Sequence, residues 1–287
     1  MAELADAQDS GSCGSNTVWV QVPFSAPRAL VIECFSFNIN PLKILVGIEV
    51  QKMIKQYQGK CFSIMGDSIS TYEGVSPSWY NNFYTAERKC EADLISPDDT
   101  WWGIVINTLG GKLLVDNAWS GSLVSKHPQC EIESYGASDE RTAFLGENGI
   151  SPDVVMVYIG TNDWGWNMPI YPAKGEENDI GIFKPAYRIM LEKIRRNYPL
   201  AEIWCFTLTN SDRMSDSGFS LPYTKDGRPL SEYGRAIREC ADAEGCRLID
   251  IYRTAPGYES MDDLHPNKKG MRYLADLVLS ELEKQGD

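Results

Sequence analysis

Histidine is almost missing from this chain: His127 and His265 are the two in 287 residues. No apolar run approaches the roughly 20 residues that a membrane-spanning helix needs. Basic residues are outnumbered, 27 Lys and Arg against 40 Asp and Glu, and the net charge is −13. Each shortage excludes something. Dinuclear metal sites of phosphoester hydrolases recruit several histidines, so that chemistry is a poor fit even though Gly-Asp and Gly-x-Asn-Asp stretches could supply ligands. An acidic chain with no basic run is not a nucleic-acid binder and disfavours anionic membranes. The start, Met1-Ala2-Glu3-Leu4-Ala5-Asp6, lacks the basic and apolar regions of a signal peptide, so a cytoplasmic location is expected; a processed secreted form would look the same. The eight cysteines form no Cys-x-x-Cys pair and fit no zinc spacing. Free thiols are expected, with a Cys240–Cys246 bridge as the alternative.

What is present is an ordinary globular composition, 43% hydrophobic and 23% charged, in a chain long enough for one large α/β domain. Residues 1–58 read as an N-terminal extension of unclear role. They hold strand-like runs at 17–22 and 29–35 and a candidate helix over 44–57. Residues 59–287 read as the main domain. Five apolar runs have strand character, at 61–66, 112–117, 153–159, 202–208 and 247–251. Helical patterns alternate with them at 101–109, 138–142, 183–197, 231–244 and 268–282. This alternation gives a doubly wound, three-layer α/β/α fold around a parallel sheet of about five strands.

Four polar motifs sit where these strands end or before the last helix. They are Gly66-Asp67-Ser68, Ser120-Gly121-Ser122, Gly160-Thr161-Asn162-Asp163 and Asp262-Asp263-Leu264-His265-Pro266. In a doubly wound sheet, such points converge on one edge. Ester cleavage needs a nucleophile, a base, a group that orients the base, and donors for the oxyanion. Ser68 can be the nucleophile. His265 can be the base, since His127 lies in a Lys-His-Pro-Gln loop with no carboxylate motif nearby. Asp262 or Asp263 can orient the imidazole. The Ser68 and Gly121 amides and the Asn162 side chain can serve the oxyanion. Gly121 could instead simply permit a turn, and Asn162 could cap a helix.

The four ordered blocks resemble those of the SGNH (GDSL-type) hydrolases, over roughly residues 60–285. The resemblance implies a flavodoxin-like fold and a serine esterase with Ser68 as nucleophile, His265 as base and Asp262 as its partner, the Asp-x-x-His spacing favouring Asp262. It implies Ser68, Gly121 and Asn162 as the oxyanion hole, and neither metal nor organic cofactor. The phrase around Ser68, through Ile69-Ser70-Thr71-Tyr72-Glu73-Gly74, is similar to bacterial members presumed to act on acylated carbohydrates. The N-terminal extension has no counterpart in the minimal fold.

The long connection after Ser68 is rich in aromatics and turn residues and suits a cleft wall. Glu73, Trp79 and Trp164 are candidate substrate-binding residues, with Tyr80 and Trp166 as further stacking faces; a packed loop is the alternative reading. The expected substrate is a small-molecule or glycan ester, an acetylated sugar first. Lipid esters or thioesters, and a carbohydrate-binding protein without catalysis, are the competing readings.

Overall fold

The structure, a computed structural model, describes residues 51–52, 54–128, 135–211, 228–253 and 257–285, all within the compact unit Pro41–Asp287. The strands expected at 17–22 and 29–35 lie outside the described residues. The helix expected over 44–57 is described from residue 51 onward and is helical there.

Five parallel strands, β1 (Cys61–Gly66), β2 (Lys112–Ala118), β3 (Val154–Tyr158), β4 (Glu202–Phe206) and β5 (Arg247–Ile249), form one sheet in the order β2-β1-β3-β4-β5. The order reverses between β1 and β3. That reversal opens a crevice at the carboxyl ends of the strands, where ligands of doubly wound sheets bind. Helices Trp101–Thr108 and Lys268–Lys284 pack together on one face, and Phe183–Asn197 packs with Asp139–Ala143 and Leu230–Ala243 on the other. Both faces of the sheet are therefore covered. This is why β1 and β3 are continuous buried apolar runs rather than alternating ones.

The helices begin where the sequence supplies a cap. The Thr100 hydroxyl accepts from the Gly103 amide at 3.0 Å, and the Asn267 side chain accepts from the Gly270 amide at 3.0 Å. One helix, Ala86–Glu91, lies in the long connection after Ser68. It buries none of its residues, so it carries no apolar stripe for a periodicity to reveal. Its signal is Thr85, whose hydroxyl caps the Arg88 amide.

The core is aromatic at its centre. The rings of Phe62 and Trp204 meet edge-on at 5.7 Å, and Tyr57 meets Trp204 at 5.2 Å. Tyr57 also donates to Glu202 at 3.0 Å, so this core includes a residue on the N-terminal side of position 59. The five cysteines among the described residues are free thiols, Cys240 and Cys246 included. No described helix is long and apolar enough to cross a membrane. Phe62 is fully buried, so Phe62→Ala should cost about 3–5 kcal/mol of stability. Urea unfolding followed by tryptophan fluorescence checks this, and a loss under about 1 kcal/mol would mean that the ring is not packed as described.

Candidate active site

β1 ends at Gly66, and the chain turns at once into a single 3-10 turn, Ser68–Ser70. The Asp67 carboxylate accepts from the Ile69 amide at 3.1 Å and fixes the turn. Two tryptophans hold it from below. Trp101 Nε1 donates to Ser70 Oγ at 3.2 Å and Trp102 Nε1 to the Ser70 carbonyl at 2.9 Å. Thr71 Oγ1 donates to the Ser68 carbonyl at 3.0 Å. Ser68 thus rests on a rigid platform.

His265 arrives from the other end of the chain, in the loop before helix Lys268–Lys284. The loop is pinned by Tyr84 Oη to the Pro266 carbonyl at 2.7 Å, by Tyr258 Oη to the Leu264 carbonyl at 2.6 Å, and by the Met261 amide to the His265 carbonyl at 2.8 Å. Gly270 lets it lie close: a β-carbon there would come within 2.1 Å of the Glu259 carbonyl oxygen. The Phe83 ring stacks flat on the imidazole, centroids 3.4 Å apart.

His265 Nε2 is 2.9 Å from Ser68 Oγ, and His265 Nδ1 is 2.9 Å from Asp262 Oδ2. With Nδ1–H donated to the carboxylate, Nε2 is left as an acceptor for the Ser68 hydroxyl. Asp262 also accepts from the His265 amide at 2.8 Å and the Leu264 amide at 3.3 Å. Burial alone would raise its pKa, but the hydrogen bonds and charge of His265 overcome that and hold it at about 2. The imidazole is pushed below its ordinary value by burial, with Asp262 pulling the other way. Of the two neighbouring aspartates, Asp262 is the one that meets the ring; Asp263 has φ +70°, and its carbonyl accepts from Ser211 Oγ at 2.5 Å.

Gly121 lies just past β2 with φ +83°, a backbone conformation that favours glycine. Asn162 lies in the short helix Thr161–Gly165 just past β3, and its Nδ2 donates to the Ser122 carbonyl at 3.0 Å. That bond joins the second and third motifs. Asp163 reinforces it by accepting from the Val124 and Ser125 amides at 2.7 and 3.0 Å.

The tentative substrate residues are placed differently from one another. Trp79 is 66% exposed, its ring 6.1 Å from Phe144. Tyr80 is buried between it and Trp119, 3.9 Å from the latter. The same loop meets the second motif, where the Ser120 amide donates to the Asn81 carbonyl at 2.8 Å. Glu73 turns to the Ala86 amide, at 2.6 Å, and stabilises a helix start. Trp164 belongs to the hydrophobic core, and Trp166 packs against His127 at 4.7 Å. Sequence reasoning missed Trp101 and Trp102 as supports of the Ser68 turn, and missed Arg141, whose guanidinium meets Ser122 Oγ. Among the described residues, no group of three or more His, Cys, Asp or Glu side chains is arranged to hold a metal ion.

A doubly wound sheet with a serine, an imidazole and a carboxylate hydrogen-bonded in series at its switch point defines a serine hydrolase of the esterase type. The chain belongs to the GDSL-like Lipase/Acylhydrolase family, whose model matches residues 60–220. The Asp262–His265 loop lies beyond that span and is located by the geometry. Among solved structures, one described as a GDSL-like lipase of Bacteroides uniformis is 27% identical, covering 77% of this chain and 94% of its own, with a TM-score of 0.58. A second of that description, from Bacteroides ovatus, is 23% identical over 79% of this chain and 99% of its own, with a TM-score of 0.61. A family two carbohydrate esterase from Clostridium thermocellum, in complex with cellohexaose, shares the fold at 19% identity and a TM-score of 0.51, over 80% of this chain and 65% of its own. Curated proteins give no match.

Three buried carboxylates near the site make stability depend on pH. Burial raises Asp67 from 3.8 to about 6, and Asp116 and Asp163 to about 7. Each keeps its proton in the folded chain at a pH where the unfolded chain has lost it. Stability is therefore lost as pH rises from about 4 to about 7. His265, lowered in the fold, acts oppositely near its ordinary value, but it is one group against three. Tm is expected to fall between pH 5 and pH 8, and Asp116→Asn should flatten that slope. Calorimetry at both pH values is the check; a Tm that rises across the interval would contradict the burial of these groups.

Proposed function

We propose that this protein is a serine esterase that removes short acyl groups, acetyl foremost, from a carbohydrate. The observation that carries the reading is the unbroken relay from Asp262 through His265 to Ser68, with both links at 2.9 Å. Ser68 Oγ attacks the ester carbonyl while its proton passes to His265 Nε2. Asp262 holds the ring in the accepting form and stabilises the imidazolium. The Ser68 and Gly121 amides and the second N–H of the Asn162 amide donate to the oxygen that becomes negative. Collapse expels the alcohol, which takes the proton from His265. Water then attacks the acyl-enzyme along the same path and regenerates Ser68.

The carbohydrate half of the reading rests on Trp79. A large exposed aromatic face, backed by Tyr80 and Phe144 and joined through Asn81 to the Gly121 loop, suits a sugar ring better than a flexible acyl chain. Likeness in fold to an esterase seen with cellohexaose is in keeping with this.

Ser68→Ala should lower hydrolysis of p-nitrophenyl acetate on the order of 10⁴-fold. Activity that survives the substitution would rule out the serine relay. A preference for long acyl chains would move the substrate to lipid esters or thioesters. The rate should also depend on pH, because only neutral His265 accepts a proton. The pH profile of kcat/KM should rise through a midpoint below the ordinary imidazole value of 6.5; a midpoint above it would mean that His265 is not the group titrating.

Trp79→Ala should raise KM for an acetylated oligosaccharide by about 3- to 10-fold and leave p-nitrophenyl acetate nearly unchanged. Equal effects on the two substrates would remove Trp79 from the sugar site.

A further inference from the structure

Arg141 is fully buried on the short helix Asp139–Ala143. A buried guanidinium is costly unless acceptors meet its N–H groups. Here the acceptors are pieces of the active-site framework. Nε donates to Asn117 Oδ1 at 2.9 Å, and Nη1 donates to Ser122 Oγ at 2.7 Å. Nη2 donates to the Gly66 carbonyl at 3.0 Å and to the Asn117 carbonyl at 2.8 Å. Asn117 answers by donating its side-chain N–H to the Arg141 carbonyl at 2.7 Å. Burial pulls the Arg141 pKa down to about 10, which leaves it a cation at neutral pH.

These acceptors come from three stretches: the end of β1 just before the nucleophile, the end of β2, and the loop that carries Gly121. The ladder between β1 and β2 stops at Gly66 and Ala118. Past that point the Trp119 amide still reaches the Gly66 carbonyl at 3.2 Å, and Arg141 shares the same oxygen. Ser122 is the joint of the arrangement. Arg141 holds its hydroxyl, and Asn162 Nδ2 donates to its carbonyl. The preceding residue, Gly121, is in the left-handed region and is joined by one peptide bond to the residue that Arg141 and Asn162 hold.

We propose that Arg141 is the positioning residue of the oxyanion hole. Through Ser122 it aims the Gly121 N–H and the Asn162 amide at the point where the substrate oxygen becomes charged, and through Gly66 it fixes their depth relative to Ser68. The inference rests on the reading of Ser68, Gly121 and Asn162 given above. Arg141 does not touch substrate. Lysine cannot substitute for it, because one ammonium cannot span acceptors that the planar fork of a guanidinium meets together.

The test compares wild type, Arg141→Lys and Ser122→Ala on p-nitrophenyl acetate and on its thiono analogue, in which sulfur replaces the carbonyl oxygen. Sulfur is larger and accepts hydrogen bonds poorly, so aligned donors favour the oxygen ester. In both variants kcat on the oxygen ester should fall about 10- to 100-fold, with KM within about threefold of wild type. The oxygen-to-sulfur ratio of kcat should fall with it. Ser122→Ala removes the hydroxyl that accepts from Arg141 and donates to the Leu123 carbonyl, at little cost in volume, so it gives the result even if Arg141→Lys fails to fold. A loss of kcat in equal proportion on both esters, or no loss in Ser122→Ala, would overturn the inference. Failure of a fluorophosphonate to label Ser68 in wild type is a separate result: it would remove the reading of the site and this inference with it.

Discussion

Gly66 has no side chain, and the space that a β-carbon would take is already occupied. Such an atom would fall 2.7 Å from Ser70 Cβ and 3.2 Å from Ala118 Cβ. The central strand can therefore end in close contact with both the turn that carries Ser68 and the end of β2. Any larger residue would force these apart. The rest of the site is fastened to this contact. The Gly66 carbonyl takes hydrogen bonds from Trp119 and Arg141, and the residue that follows, Asp67, begins the Ser68 turn.

Three buried ionisable side chains lie around the strand ends. Arg141 ties the first motif to the second through Gly66 and Ser122. Asp67 faces the Gly160 and Thr161 amides of the third motif, which counter the effect of its burial. Asp163 runs back from the third motif to the Val124 and Ser125 amides that follow the second. Apolar residues at these positions would leave the buried carbonyls and amides that they meet without partners. The hydrogen bonds also add direction, since each allows only a narrow range of geometry. The edge of the sheet that faces the substrate is held by polar bonds, and the interior by aromatic packing.

Much of this was legible in the sequence because it depends on local rules. Each strand holds a short apolar run, Leu113-Leu114-Val115 in β2 and Val154 to Tyr158 in β3 among them, and the longer helices carry an apolar stripe. Asp262 and His265 lie three residues apart, so a single turn brings them together whatever the rest of the fold does. Distant or unpatterned features were not legible. Arg141 lies in a run of charged residues, Asp139-Glu140-Arg141, that reads as a solvated helix start, and nothing local says that its side chain turns inward. The helix Ala86–Glu91 has no buried face and so no period. Trp79 and Trp164 look alike in sequence, each in a polar, aromatic-rich stretch beside a motif. One lies open and the other is packed away, because Trp164 follows directly on a buried strand whereas Trp79 is carried on a loop over the surface. The neighbours of Glu73 suggest a substrate contact, yet its carboxylate meets the start of a helix 13 residues on.

The hydrogen bond between Ser68 and His265 spans 197 positions of the chain. At a ribosomal rate of about 5–20 residues per second, His265 emerges roughly 10 to 40 s after Ser68. Through that interval Ser68 lacks the imidazole that it meets in the folded chain. The loop that meets Ser68 is thus made long after the turn that carries it. Neither half of the pair is complete without a segment made far from it, so the contact between them reports that β1 and the helix Lys268–Lys284 have come together.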